Sequence, residues 1–222
     1  MERHAELFSP EKTHLAALAE IERLAWASQG ENISANIKKL EARMECFPAG
    51  ITLATVDGLA AGSQYSFLLN WNGGADSLTS WDDMTANGWY NHVHRTDGNT
   101  GFLVGVGVIP NFRGERLHHN LRWQGPFKLS ELLIARTLDL LFATGVKQVI
   151  GNARVPGYHL RPNLSIEDYC SLRREDNKLF DPVLRFHEHM GAQILKPVPY
   201  SLEDAESRDA GCWVIYKKPF EG

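Results

Sequence analysis

The run Phe102-Leu103-Val104-Gly105-Val106-Gly107-Val108-Ile109-Pro110 constrains this chain more than any other segment. It is almost wholly apolar and stops at a proline, so it predicts an interior strand covered on both faces. Two glycines weaken such a strand, a cost that makes sense where a bulge or a close ligand needs bare backbone. A doubly covered strand requires helices, and the sequence supplies them. Leu129 to Thr144 carries Leu129, Leu132, Leu133, Leu140 and Leu141 on one broad face, with Gly145 at its C-terminal stop. Ser9-Pro10-Glu11 offers a cap, a first-turn proline and an acid ahead of Leu15, Leu18, Ala19, Ile21, Leu24 and Ala25, which recur near the helical period. A second helix is expected from Ser34 to Cys46, with Ile37, Leu40 and Met44 on one side and Phe47 to Gly50 ending it.

Around these helices the pattern turns to strands. ITLATV, a turn at Asp57-Gly58 and LAAGSQYSFLLNW read as a hairpin. KQVIGNAR reads as a buried strand, IEDYCSLRR and DPVLRFHEHMGA as helices, ILKPVPYS and CWVIYKK as closing strands, and one short strand is admitted at the start. With no repeat, low-complexity stretch or linker, residues 1–222 are expected to form a single mixed α/β domain.

Composition narrows the function classes. With 43% apolar residues the chain of 222 can bury a real core, and its net charge of -4 offers no basic footprint for nucleic acid or an anionic membrane. The polar N-terminal segment and the lack of any run of about 18 apolar residues predict a cytoplasmic protein. Cys46, Cys170 and Cys212 are odd in number and far apart, so they are expected as reduced thiols, and no zinc-like spacing accompanies them.

The order of these elements, together with LVGVGVIP, the NFRG that follows it and a helix ending HEHMGA, resembles the GCN5-related N-acetyltransferase (GNAT) superfamily over nearly the whole chain. The resemblance implies a mixed, largely antiparallel sheet flanked by helices and splayed between its central strands. It also implies acetyl-CoA or another acyl-CoA as co-substrate, with no metal. In that family the central strand leads into a loop, Arg/Gln-x-x-Gly-x-Gly/Ala, that opens a long helix and binds the coenzyme A pyrophosphate. Backbone N–H groups at a helix N-terminus suit an anion. Here the second glycine is missing after Arg113-Gly114 and ERLHHNLRWQGPF intervenes, so the matching loop is Arg122-Trp123-Gln124-Gly125-Pro126-Phe127. The resemblance thus assigns Arg122, Gly125, Phe127, Lys128, Leu129 and Ser130 to the pyrophosphate. Val106, Gly107 and Val108 go to the pantetheine arm, with Asn152 across the gap.

In family members a tyrosine of the last helix protonates the departing thiolate, and His187 stands at that place. Histidine can carry that proton. A similar subgroup, the GNAT-like loading domains of polyketide synthases, decarboxylates malonyl-CoA and passes the acyl group to a carrier-protein thiol. There a threonine after the strand partners the histidine, and Ala153 occupies that position here. The segment WDDMTANGWYNHVH mixes aromatic and polar groups, and Trp81, Thr85, Tyr90 and His94 are expected to wall the acceptor side. Three functions stay open: N-acetyl transfer to a small-molecule amine; decarboxylation with S-acyl transfer to a carrier protein; and a non-catalytic acyl-CoA- or partner-binding module. A homodimer is compatible with each.

Overall fold

The computed structural model describes residues 3–27, 29 and 34–218. In chain order its elements are β1 (His4–Phe8), α1 (Leu15–Ala25), α2 (Ile37–Cys46), β2 (Ile51–Val56), β3 (Leu59–Leu69), α3 (Trp81–Thr85), β4 (Thr100–Val108), β5 (Arg116–His119), β6 (Phe127–Lys128), α4 (Leu129–Ala143), β7 (Gln148–Arg154), α5 (Ile166–Ser171), α6 (Pro182–His189), β8 (Gln193–Val198) and β9 (Gly211–Lys217). Among these residues the strands lie in the order β6-β5-β1-β2-β3-β4-β7-β9-β8. Neighbours are antiparallel except for β1 with β5 and β4 with β7, so the sheet is mixed and largely antiparallel, as expected.

Local chemistry sets several boundaries. Asp57 and Gly58 take φ of 51° and 80°, the left-handed pair that a two-residue hairpin turn requires. Gly145, at φ 97°, ends α4. Two expected starts move. Ser9 and Pro10 precede the first helix, because Glu11 caps a short 3-10 turn, Lys12–His14, and α1 begins only at Leu15. The second helix begins at Ile37, where the Asn36 side chain accepts the Lys39 N–H at 3.0 Å, a cap that Ser34 does not supply. Ile37 itself is exposed, so Leu40 and Met44 carry the apolar contact.

Helices cover both faces of the central strands. A Cβ on Gly107 would meet Ala25 of α1 at 3.2 Å, whereas one on Gly62 would meet Leu133 of α4 at 3.1 Å. On the α1 side a ladder of stacked rings links Tyr90, Phe67 and Phe102, at centroid distances of 4.9 and 4.8 Å, and Trp213 closes it edge-on.

Two irregularities of β4 position everything that follows. Opposite Tyr65 and Ser66 of β3 stand Gly105 and Leu103, so Val104 is one residue in excess, a bulge that bends the strand. Pairing with β7 covers only Gly101 to Leu103 against Val149 to Gly151, and beyond it the two strands diverge. No helix among the described residues is long and apolar enough to cross a membrane.

Candidate active site

The diverging strands open a cavity of about 730 Å³. Ile109 donates its N–H to Ala61 of the hairpin at 2.9 Å, so by the alternation of an antiparallel ladder Gly107 and Gly105 also face β3. The amide and carbonyl of Val106 therefore face the gap, where no β7 residue pairs with them. On the same edge the Val104 carbonyl accepts Trp81 Nε1–H at 2.9 Å and the Val108 carbonyl accepts Arg113 Nε–H at 2.8 Å. Between these two capped carbonyls, Val106 offers the donor and acceptor that an extended ligand needs to add itself as a strand.

The glycines of β4 now separate. A Cβ on Gly105 would point into open space, whereas one on Gly107 would press on Ala25. A valine at 105 therefore fills the cavity and suits a strand, while a valine at 107 pushes α1 away. Gly105→Val is expected to keep its melting temperature and lose at least about tenfold in acyl-CoA affinity, whereas Gly107→Val lowers the melting temperature; calorimetry and thermal unfolding check both.

At one end the cavity reaches Arg113, Gly114, Lys128, Leu129 and Ser130. The first-turn N–H groups of Leu129 and Ser130 have no acceptor within their helix. Lys128 N–H is already taken by Glu131 Oε2 at 2.9 Å, so of Lys128 only the side chain serves an anion. Arg113 is exposed at the rim, its guanidinium pinned by Val108 and by Ala25 O, the latter at 2.7 Å. Of the loop residues matched by resemblance, three lie elsewhere. The inserted residues fold into the β5–β6 hairpin, which carries Arg122 to the outer side of α4, where it forms a double hydrogen bond with Asp139 at 2.9 Å. Gly125, with φ 93°, is an exposed turn residue, and Phe127 packs on His119, 5.5 Å between ring centres. None of the three lines the cavity.

His187 does line it, together with Asn152, Ala153 and Arg154 from the far strand. Its Nδ1 lies 2.6 Å from the Tyr216 hydroxyl, which leaves Nε2 for the cavity. Burial pushes the His187 pKa down to about 4 and raises that of Tyr216, so near neutral pH the ring is uncharged and the phenol keeps its proton. Asn152 accepts Ser201 Oγ–H on Oδ1 at 2.7 Å, and its buried Nδ2 has no hydrogen-bond partner among the described residues. A donor left so is costly unless a ligand uses it.

Of the expected acceptor wall only Trp81 faces the cavity. Thr85 is absorbed by its own turn, donating to Trp81 O at 2.7 Å and accepting Gly88 N–H at 2.8 Å. Tyr90 is buried in the ring ladder at φ 38°, and His94 stacks on Phe47 while accepting Leu68 N–H at 3.3 Å. In their place α1 and α2 present Glu22, Lys39 and Arg43. A signal for two of these was available in the sequence. Glu22 lies within the apolar stripe of Leu18, Ile21 and Ala25, and Arg43 beside Leu40 and Met44, and a charge on a buried stripe needs a reason.

No family model matches the chain. In Bacillus subtilis (strain 168) it is 25% identical over 183 residues to an uncharacterized N-acetyltransferase, YkwB, covering 82% of this chain and 74% of that protein. It is also 27% identical over 166 residues to a probable hydrolase, YhcX, covering 74% of this chain but only 29% of that longer protein. Among solved structures, the loading GNATL domain of CurA from Lyngbya majuscula superposes with a TM-score of 0.78 at 23% identity, covering 96% of this chain and 97% of the other. The GphF GNAT-like decarboxylase, solved with isobutyryl-CoA, superposes with a TM-score of 0.74 at 23% identity, covering 95% and 98%. The splayed, bulged sheet and these likenesses together establish that the chain has the fold of the GCN5-related N-acetyltransferase superfamily.

Proposed function

We propose that this chain is an acyl-CoA-dependent N-acyltransferase, with acetyl-CoA as donor and a small amine as acceptor. The observation that carries the reading is the continuity of one cavity from the first turn of α4, along the unpaired Val106 edge, to His187 and the polar groups of α1 and α2. Arg113, the Lys128 side chain and the N–H groups of Leu129 and Ser130 suit a pyrophosphate. The Val106 edge suits the amide-bearing pantetheine arm, and Asn152 Nδ2 supplies a further donor in the gap.

In this reading the amine nitrogen attacks the thioester carbonyl carbon and the carbon–sulfur bond breaks. The Val106 N–H is the backbone donor placed for the developing oxyanion. His187, neutral at rest, accepts a proton from the attacking nitrogen on Nε2 while Nδ1–H is held by the Tyr216 oxygen. The resulting imidazolium then hands that proton to the departing sulfur. A pKa near 4 leaves the ring neutral near pH 7, with Nε2 unprotonated and able to take up that proton before giving it up.

A second reading, malonyl-CoA decarboxylation with transfer to a carrier thiol, is favoured by the likeness to a loading domain and a decarboxylase. Against it, Ala153 brings no hydroxyl to the cavity wall. Incubation with acetyl-CoA or malonyl-CoA, with and without amines, followed by mass spectrometry separates the two. N-acylated amine is the expected product, whereas malonyl-CoA consumed to acetyl-CoA without an amine would establish the second reading. Arg113→Ala is expected to weaken acetyl-CoA binding about five- to tenfold by calorimetry, with the loss shrinking at high salt as a partly exposed charge contact should.

A further inference from the structure

Arg43 is only 4% exposed, yet it lines the cavity. Its Nε donates to Gly88 O at 2.8 Å, and its guanidinium lies 4.8 Å from the centre of the Tyr65 ring and 5.5 Å from that of Tyr90. Among the described residues its Nη atoms form no hydrogen bond, and neither Arg43 nor Lys39 has a salt bridge. The Lys39 ammonium, half-buried, lies 5.9 Å from the Trp89 ring, and Asp82 and Glu22 act on its charge without reaching salt-bridge distance. Guanidinium stays charged at any pH a protein survives, and its parallel N–H pairs match a carboxylate. A buried charge with unused donors is costly unless something pairs with it.

The acids at this end of the cavity act on these cations through space, and their hydrogen bonds among the described residues go elsewhere. Glu22 accepts Ala35 N–H at 3.0 Å and Asp82 accepts the Tyr200 hydroxyl at 3.1 Å. The position of Arg43 relative to the reacting centre is also fixed. Tyr65, beneath the guanidinium, stands opposite Gly105 of β4. Trp81 bridges the rest, since a Cβ on Gly88 would lie 2.7 Å from Arg43 Nη2 and 2.8 Å from Trp81 Cη2. The other end of that indole holds the Val104 carbonyl at the bulge.

The geometry points to a carboxylate-bearing amine, such as an α-amino acid, as the acyl acceptor, with its carboxylate held by Arg43 and Lys39. This deepens the acyltransferase reading and rests on it. A carboxylate on the free Nη donors of Arg43 and on Lys39 leaves an amine a few bonds away on the β4 side of the indole, where the acyl carbon would lie. The negative potential of Asp82 and Glu22 that reaches Lys39 also favours an ammonium nearby, which a zwitterion brings and a dicarboxylic acyl group does not.

The test pairs amino acids with their own carboxamides, phenylalanine and methionine for example, using acetyl-CoA as donor. The acid is expected to exceed its amide at least about tenfold in kcat/KM, through KM. Arg43→Gln and Lys39→Gln should each reduce that preference while the KM for acetyl-CoA stays within about twofold. Lys39→Gln removes no hydrogen bond of the fold, so it decides the matter if Arg43→Gln unfolds. Calorimetric binding of the same acid and amide to the coenzyme A complex gives a readout independent of turnover. Amides equal to or better than acids, or a preference unchanged in both variants, would overturn the inference. If instead the variants weaken malonyl-CoA and leave amine choice alone, the carboxylate belongs to the donor and the inference is wrong. Absence of acyl-CoA binding would refute the acyltransferase reading, and amino-acid binding to the free protein would then decide the carboxylate site separately.

Discussion

His187→Ala should lower turnover by about 100-fold or more while leaving acyl-CoA affinity within a factor of two or so, because relaying a proton helps the transition state and not the bound ground state. The pH profile carries the sharper information. Burial sets the His187 pKa to about 4, so kcat/KM limited by this base should fall only as pH drops through that value. Any decline already visible between pH 5 and 7 would instead report protonation of the amine. Tyr216→Phe removes the one hydrogen bond on Nδ1 and should lower kcat more than it changes KM, since the ring loses its fixed tautomer. His189→Ala, two residues away and exposed, serves as control. If His187→Ala retains full turnover, or loses it only in proportion to lost folded protein, the histidine is a packing residue and the relay is wrong.

What could be read from the sequence follows the range of the forces involved. Asp57-Gly58, Gly145 and the leucine period of α4 are local, so the hairpin and the helix were legible with no knowledge of the fold. The apolar run of β4 was legible as an interior strand, and a bulge does stand beside its first glycine, at Val104, while Gly107 pairs regularly with Ser63. That only Gly105 borders open space depends on α1, which lies far away in sequence. The residues matched to a phosphate loop by resemblance lie away from the cavity for a related reason. Arg122 and Gly125 lie immediately before α4 in sequence, but the β5–β6 hairpin turns them outward and leaves Arg113-Gly114 at the mouth. Sequence adjacency was the wrong measure of distance there. The acceptor side shows the limit on a finer scale. In WDDMTANGWYNHVH the composition fits a wall, but the side-chain directions come from left-handed turns at Ala86, Asn87 and Tyr90. Those turns send Tyr90 into the ring ladder and leave Trp81, Asp82 and Asn87 of this segment at the cavity.

Loss of Arg154 should be the most damaging single change to stability near the site. Its guanidinium makes two hydrogen bonds of 2.7 Å to Asp204, whose side chain is 2% exposed, and a third of 3.0 Å to Glu206. Burial by itself would raise the Asp204 pKa, but the hydrogen bonds from Arg154 and Ser207 and the Arg154 charge outweigh it and hold the carboxyl below its ordinary value. A carboxyl depressed in the fold contributes stability above its unfolded pKa, near 4, and that contribution is lost as pH falls through the lower, folded value. In Arg154→Met the sign reverses, because a buried Asp204 without its cation resists ionisation and takes up a proton more readily than in the unfolded chain. The variant should therefore lose about 3–5 kcal/mol at pH 7, the cost of stranding a buried charge, and recover much of that loss relative to wild type as pH drops first through its own raised Asp204 pKa and then through the depressed wild-type value. Urea unfolding from pH 7 to pH 3 measures the gap directly. Arg154→Met/Asp204→Leu should be milder than Arg154→Met alone, since it removes the stranded charge along with its partner. A gap that is the same at every pH would mean that Arg154 acts through packing alone. Because Arg154 lines the cavity at the end of β7, the same series shows whether the ion pair also holds the far wall of the gap in place. Acyl-CoA affinity measured at pH 7 should then fall in the single variant and return in the double one.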